Sequence, residues 1–277
     1  DWRAARRAPL MPEPLPRPKK RFGQHFLTDP RLLGRIADAL AITRDDTVIE
    51  IGPGRGALTE QLLQRAGRVI AIELDRDLAP ILRERWKDEP RFALVEGDVL
   101  EQDLGALAGG PYLLAGNVPY NITTPILFHA MQRPRPTRAV YLVQKEVADR
   151  VVAPAGSEDY GALSVNVQAL ADAELLFTVA ARAFTPPPKV ESAVIRVTPR
   201  AEAMLGAEEE EPFRLFVQAA FGLRRKQMRR VVRTVFGWDA ARADEVLEAA
   251  GIDPEARPET LNCAEFLRVL RRSGTKD

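Results

Sequence analysis

The sequence contains little cysteine and no long apolar run, and each shortage excludes a class of protein. Cys263 is the only cysteine among 277 residues, so the chain can form neither an internal disulfide nor a zinc site made of cysteines. A single cysteine is typical of proteins in a reducing compartment. No apolar run approaches the ~20 residues that span a bilayer. The first 20 residues lack the apolar stretch of about 7–15 residues found in secretory signals. These shortages predict a cytoplasmic protein without a membrane span.

The net charge is close to zero, but the basic residues are concentrated in two blocks. The formal net charge is +1, yet residues 1–21 carry seven Lys or Arg against two acids, and residues 212–233 carry seven against none. Two basic blocks on a nearly neutral chain indicate a polyanionic partner on one face. The alternative interpretation is a solvated tail together with a solvated helix face.

The central part of the chain alternates short apolar strands with amphipathic helices. Strand patterns occupy residues 47–52, 68–74, 91–96, 112–117 and 138–144, with helical patterns at 57–65, 78–87 and 122–131. This alternation predicts an α/β fold with a parallel sheet covered by helices on both faces. Two later strand patterns, at 174–181 and 192–199, predict an edge hairpin.

Three regions follow from the composition. Residues 1–20 contain five prolines and no apolar periodicity, which predicts a disordered or extended basic arm. The α/β domain then covers residues 21–205, and a purely helical domain covers 206–277. A continuous helix through residues 213–236 would place basic residues four apart on one stripe, Arg225 with Arg229 and Lys226 with Arg230.

A glycine-rich loop follows the first strand of this sheet. Glu50 precedes Gly52, Gly54 and Gly56, a G-x-G-x-G spacing whose third glycine comes one residue earlier than in the dinucleotide-binding fingerprint. Glycines let the backbone approach a ligand where a β-carbon would clash. The spacing and the preceding acid are typical of S-adenosylmethionine (SAM) sites. The alternative is a tight turn without a ligand.

Two further acids end later strands. Glu73 lies 21 residues after Gly52, where a carboxylate can accept hydrogen bonds from both ribose hydroxyls. Asp98 follows the third strand and can accept from an adenine amino group. With the glycine loop, these acids predict a nucleoside cofactor.

The tetrapeptide Asn117-Val118-Pro119-Tyr120 ends the fourth strand. An exocyclic amine is a poor nucleophile because its lone pair is delocalised into the ring. If the Asn117 side-chain oxygen and the carbonyl of residue 118 accept its two hydrogens, the nitrogen can pyramidalise. Tyr120 would stack on the base, an interaction worth ~1–3 kcal/mol. The sequence therefore predicts an enzyme that methylates a base amine by holding the amine in line with the methyl donor. The alternative is a capped turn.

Several motifs occur in the order typical of ribosomal RNA adenine dimethyltransferases, which the chain resembles from about residue 19 to its end. They are Arg21–Leu27, Glu50–Gly56, Glu73, Glu96–Asp98, Asn117–Tyr120, Phe184–Ser192 and Arg224–Lys226. The resemblance implies a Rossmann-like SAM-dependent methyltransferase sheet in a catalytic domain, followed by a small all-helical RNA-recognition domain. It also implies SAM as cofactor and, as partner, small-subunit ribosomal RNA within a pre-30S particle, bound by a monomer.

The resemblance also implies roles for individual residues. The cofactor would contact His25, Leu27, Gly52, Gly54, Glu73, Asp98 and Asn117. The catalytic set would be Asn117, Pro119, Tyr120 and Phe184, with Phe184 on the target adenine opposite Tyr120. The RNA would contact Arg224, Arg225, Lys226, Arg229 and Arg230. The chain departs from the family's usual pattern at His25, where Asn is common, and at Val118, where Leu is common.

The leading interpretation is an enzyme that transfers two methyl groups to N6 of each of two adjacent adenosines near the 3′ end of small-subunit ribosomal RNA. Other functions stay open from the sequence alone. One is methylation of a single adenosine in large-subunit ribosomal RNA, which confers macrolide resistance. Enzymes that methylate DNA adenine or protein glutamine also use an Asn-x-Pro-Tyr motif, but such a function would not explain the motif at Phe184. A non-catalytic ribosome assembly factor could keep the same fold. A dehydrogenase would need the later third glycine.

Overall fold

A computed structural model of the chain describes residues 18–19 and 24–274. The predicted arm at residues 1–20 therefore lies outside the described residues, apart from Pro18 and Lys19. The strands and helices are β1 (Phe26–Leu27), α1 (Pro30–Ala39), β2 (Thr47–Ile51), α2 (Ala57–Leu63), β3 (Arg68–Glu73), α3 (Ala79–Arg85), β4 (Phe92–Glu96), α4 (Leu104–Ala108), β5 (Tyr112–Asn117), α5 (Thr123–Ala130), β6 (Arg138–Gln144), α6 (Lys145–Val152), α7 (Ala162–Gln168), β7 (Ala171–Val179), β8 (Phe184–Thr185), β9 (Ser192–Pro199), α8 (Glu210–Gly222), α9 (Met228–Phe236), α10 (Ala240–Ala249) and α11 (Cys263–Ser273).

The main sheet has seven strands in the order β4-β3-β2-β5-β6-β9-β7. Strands β2 to β6 are parallel, which confirms the predicted α/β sheet, and β9 pairs antiparallel with both β6 and β7. The strand order reverses between β2 and β5, and α/β proteins bind ligands at such a switch point, outside the carboxyl ends of the strands. A separate two-stranded sheet joins β1 to β8 antiparallel.

Alternate strand residues bury apolar side chains on both faces of the main sheet. Ile49 and Ile70 belong to one apolar core, whereas their neighbours Val48 and Val69 belong to a second. This is the period of two expected of a strand that is buried on both sides. The sheet is thereby held rigidly at the edge where its parallel strands end.

A third apolar core holds the C-terminal helices together. It is not confined to residues after 205, because Tyr160 and Val165 are buried in it and the Tyr160 hydroxyl donates to the Leu261 carbonyl at 2.8 Å. The helices after the predicted boundary near 205 therefore share a core with α7, which precedes that boundary. In the part of the chain that the structure describes, none of the helices combines the length and the apolar composition of a membrane span.

The prediction of one continuous basic helix through 213–236 is wrong. Helix α8 ends at Gly222 and α9 begins at Met228. Residues 223–227 form a turn in which the Lys226 N–H donates to the Leu223 carbonyl at 2.7 Å, and the Met228 N–H donates to the Ala256 carbonyl at 2.7 Å. These contacts separate α8 from a new helix that begins at Met228. The four-residue spacing consequently creates no stripe across the turn.

Gly56, the residue before α2, is the glycine of the loop with the tightest surroundings. Its φ is +81°, and a β-carbon there would lie 2.1 Å from the Trp86 ring. We expect Gly56→Ala to lower the free energy of unfolding by about 2–5 kcal/mol, the sum of left-handed strain and overpacking. Chemical denaturation measures the loss. Gly110→Ala is the control, because a β-carbon on Gly110 meets no atom within 4 Å; equal stabilities of the two variants would contradict the expectation.

Candidate functional site

A cavity of about 380 Å³ opens at the carboxyl ends of β2, β3 and β5. This volume lies within the ~300–1,000 Å³ of small-molecule sites. It is the switch point of the sheet, where the glycine loop, the strand-end acids and the tetrapeptide converge. The predicted site residues that line it are His25, Leu27, Gly52, Gly54, Glu73, Asp98, Asn117, Pro119 and Tyr120.

The glycine loop forms one wall because its backbone adopts conformations that other residues avoid. Gly52 has φ +64° and Gly54 has φ +60°. A β-carbon on Gly54 would lie 2.9 Å from the Phe26 ring, so a side chain there would collide with the segment that covers the loop. The loop thus presents its backbone to the cavity.

Glu73 lies at the end of β3 and joins the loop to the next turn. Its carboxylate accepts from the Gly54 N–H at 3.0 Å and from the Asp75 N–H at 2.8 Å. Burial raises the pKa of Glu73, and hydrogen bonds from the backbone of Asp75, Gly54 and Leu74 oppose that rise. A carboxylate has about four acceptor positions, so two amide donors leave room for the two hydroxyls of a ribose.

Glu50 is a cavity residue whose environment the sequence did not reveal. It lines the cavity but is 1% exposed, and it accepts from the Thr59 hydroxyl at 2.6 Å. Burial raises the pKa of Glu50 to about 8, with a smaller contribution from the charge of Glu73. The acid of the motif therefore holds a proton more readily than an exposed glutamate does.

Asp98 and Leu74 lie at another end of the cavity. The Asp98 carboxylate accepts from the Leu100 N–H at 3.0 Å, which fixes one oxygen and leaves the second as an acceptor. Leu74, with 43% of its surface exposed, lines the same cavity. An exposed leucine beside a fixed carboxylate suits the face and the amino edge of a purine. Its position directly after the strand-end acid is the signal that sequence reasoning missed.

The N-terminal segment closes one side of the cavity. Asp75 accepts from the Gln24 amide at 2.9 Å and from the Lys19 ammonium at 2.5 Å. The Asn117 amide donates to the His25 carbonyl at 2.9 Å. Asp75 is 2% exposed and was not predicted as a site residue. Its contacts hold the segment that brings His25 and Leu27 to the cavity.

The tetrapeptide is held in one orientation by its neighbours. Because the Asn117 NH₂ group donates to the His25 carbonyl, its side-chain oxygen is the atom left to accept a hydrogen from a ligand. The Pro119 carbonyl accepts from the Thr123 hydroxyl at 3.1 Å. The Tyr120 hydroxyl lies 2.5 Å from the Ser192 hydroxyl. An acceptor and a flat ring are thus fixed side by side.

Phe184 lies elsewhere than the predicted position opposite Tyr120. It is 3% exposed and packs in the apolar core beside Leu27, its partner in the two-stranded sheet, and it does not line the cavity. The ring that faces Tyr120 is instead His25, at 5.6 Å between centroids and 26° between planes. A contact between Phe184 and a base would require β1 and β8 to shift, so that role stays a prediction.

The predicted RNA-contacting cations divide into two groups. Arg224 pairs with Glu259 at 2.5 Å, and Arg229 pairs with Asp244. Arg225, Lys226 and Arg230 are exposed, and none of the three forms an ion pair with any described residue. Of the five predicted cations, these three are the ones whose side chains have no ion-pair partner among the described residues.

The acidic run at 208–211 does not neutralise these three cations. Three of its glutamates pair with other arginines: Glu209 with Arg271, Glu210 with Arg133 and Arg135, and Glu211 with Arg214 of its own helix. The pairs of Glu210 join the first turn of α8 to the loop before β6. The basic surface therefore keeps its charge.

Comparison with known proteins gives one consistent result. The model of the family described as ribosomal RNA adenine dimethylase matches residues 16–272. A ribosomal RNA small subunit methyltransferase A from Laribacter hongkongensis is 45% identical over 94% of this chain and 97% of its own. Among solved structures, a dimethyladenosine transferase from Plasmodium falciparum superposes with a TM-score of 0.78 at 26% identity, over 88% of this chain and 96% of its own. The 23S rRNA methyltransferase ErmE superposes with a TM-score of 0.70 at 29% identity, over 90% and 100%.

Proposed function

The chain belongs to the ribosomal RNA adenine dimethylase family, and we propose that it dimethylates N6 of two adjacent adenosines in the 3′-terminal stem-loop of small-subunit ribosomal RNA. The substrate would be a pre-30S particle in the cytoplasm, bound by a monomer. The observation that carries the proposal is the cavity at the switch point, where an oriented asparagine oxygen lies beside a fixed tyrosine ring. High identity to a small-subunit enzyme over nearly the whole chain supports the choice of RNA.

The cavity fits SAM, the cofactor of this family of methyltransferases. Gly54 leaves no room for a β-carbon beneath Phe26, Glu73 keeps acceptor positions for two hydroxyls, and Asp98 keeps one oxygen for an amino group. We propose that these residues hold the nucleoside, together with His25, Leu27, Gly52 and Asn117. When bound, SAM supplies an electrophilic methyl on a sulfonium whose thioether leaves readily.

The residues of the tetrapeptide would align the amine. The Asn117 side-chain oxygen and the Val118 carbonyl accept the two N6 hydrogens, so that the lone pair leaves the plane of the ring. Tyr120 stacks on the base and Pro119 shapes the turn between acceptor and platform. The proton lost from N6 passes to solvent. The required acceleration comes from alignment of the two reactants.

The nearest alternative is methylation of large-subunit ribosomal RNA. The superposition on ErmE shows that both activities use this fold, so the architecture does not discriminate between them. The sequence identity favours the small-subunit activity, because it is 45% with the small-subunit enzyme and 29% with ErmE. Purified protein should transfer tritiated methyl groups from SAM to unmethylated small subunits and not to large subunits. Label in large subunits alone would overturn the proposal.

We further propose that Arg225, Lys226 and Arg230 contact the phosphates of the RNA. Phosphate contacts position an RNA without reading its sequence, and each one lost lowers the slope of log affinity against log salt by about 0.7–0.9. We expect Arg225→Glu/Arg230→Glu to weaken binding to small subunits and to lower this slope by about 1.4–1.8. The affinity for SAM should not change. Filter binding at several salt concentrations measures both parameters.

A charge-matched control separates a local contact from the overall charge. Arg44 and Arg68 are exposed near the amino ends of β2 and β3, opposite the cavity. Arg44→Glu/Arg68→Glu should leave the salt slope close to that of the unmodified protein. If both double variants lower the slope equally, the effect is one of net charge, and the proposed contact is wrong.

A further inference from the structure

Ser192 has no role in the mechanism above, yet it contacts the ring on which the base would stack. It is the first residue of β9 and is fully buried. Its backbone is fixed on both sides, by Gln144 in β6 and by Val179 in β7. The Ser192 hydroxyl lies 2.5 Å from the Tyr120 hydroxyl. A side chain on this rigid strand is a fixed point for the phenol.

A second contact fixes the face of the same ring. The His25 imidazole stacks on Tyr120, and its Nδ1 donates to the Pro186 carbonyl at 2.9 Å. Tyr120 begins a short 3₁₀ turn (Tyr120–Ile122) and is only half-buried, so its own backbone does not determine the plane of the ring. Ser192 and His25 restrain that plane from the hydroxyl and from one face. The opposite face is the one that a flat base can occupy.

We propose that Ser192 is a positioning residue for methyl transfer: its hydroxyl fixes the hydroxyl end of the Tyr120 ring, whose face His25 restrains, so that the stacked adenine presents N6 to Asn117. This inference rests on the proposed function of Tyr120 as the platform for the base. Without the hydrogen bond the ring would pivot, and the base would leave the reactive position while the RNA stays bound through its phosphates. The consequence is a loss in kcat rather than in affinity.

The test is a double-mutant cycle of Ser192→Ala and Tyr120→Phe. Each change removes the same hydrogen bond, so each should lower kcat by roughly 5- to 30-fold, and the double variant should lose no more than the worse single variant. The dissociation constants for SAM and for small subunits should stay within about twofold, because phosphate contacts dominate RNA affinity. A normal kcat in Ser192→Ala, or losses that multiply in the double variant, would overturn the inference.

Ser164→Ala is the matched control for this cycle. Ser164 is also fully buried, and its hydroxyl accepts from the Gly161 N–H at 3.0 Å and donates to the Arg150 carbonyl, outside the cavity. This variant should lose stability but keep its kcat. An equal fall in kcat for the two serine variants would identify Ser192 as structural only.

A spectroscopic measurement separates this inference from the proposed function. The chain has four tyrosines, so tyrosine labelled with ¹³C gives few signals, and Tyr120→Phe assigns that of Tyr120. Ser192→Ala should shift the Tyr120 signal, whereas Ser164→Ala should not. If the unmodified protein methylates neither subunit, the proposed function fails while this spectrum still tests the contact. An unmoved Tyr120 signal in Ser192→Ala would overturn the inference.

Discussion

Asn117→Ala should reduce the rate of methyl transfer at saturating SAM and RNA by on the order of 100- to 1,000-fold, the usual loss when one polar group aligned with the transition state is removed. The Asn117 oxygen acts on the amine as it pyramidalises, so the interaction strengthens in the transition state. The hydrogen bond from its NH₂ group to the His25 carbonyl holds that oxygen in place. Single-turnover measurement with labelled SAM gives the rate directly.

Binding must be measured beside the rate, because Asn117 also lines the cofactor cavity. The affinity for small subunits should stay close to that of the unmodified protein, and any loss of SAM affinity is removed by working at saturation. A variant that retains near-normal turnover under these conditions would eliminate Asn117 from the alignment of the amine. A variant that merely binds SAM poorly would show normal turnover once saturated.

The second large effect is expected at Glu73. Glu73→Ala removes the acceptor for the ribose hydroxyls and for the N–H groups of Gly54 and Asp75. Unpaired donors in a buried site cost about 1–3 kcal/mol, so SAM binding should weaken by roughly 10- to 100-fold. Isothermal titration calorimetry measures the change.

Glu73→Gln is the informative companion, since it keeps one acceptor oxygen in nearly the same volume. Its loss of SAM affinity should fall between those of the unmodified protein and Glu73→Ala. Thermal unfolding without SAM checks that both variants are folded. Equal SAM affinity for all three proteins would exclude Glu73 from the cofactor site.

The features of the fold around the site that the sequence predicts correctly depend on residues close together in the chain. A strand followed by closely spaced glycines forces a tight turn with positive φ, and β2 with Gly52 and Gly54 has this form. The strand alternation also placed Asn117 at the end of β5, next to β2 in the sheet. Both signals lie within a few residues of the feature that they predict.

The features that the sequence did not predict depend on contacts between distant parts of the chain. The break between α8 and α9 is fixed by hydrogen bonds from Met228 and Arg229 to the carbonyls of Ala256 and Pro254. Periodicity within 213–236 carries no trace of these bonds. Phe184 is buried because β8 pairs with β1, and the role of Asp75 depends on Lys19 and Gln24 folding over the loop. Such pairings are properties of the folded chain.

The proposed activity is dimethylation of two adjacent adenosines of small-subunit ribosomal RNA. The most direct measurement is mass spectrometry of the 3′-terminal RNA fragment after unmethylated small subunits are incubated with the protein and SAM. We expect two methyl groups on N6 of each of two neighbouring adenosines, and no product with Asn117→Ala. Methyl groups on a single adenosine of large-subunit RNA, or an unmodified fragment after incubation with folded protein that binds SAM, would contradict it.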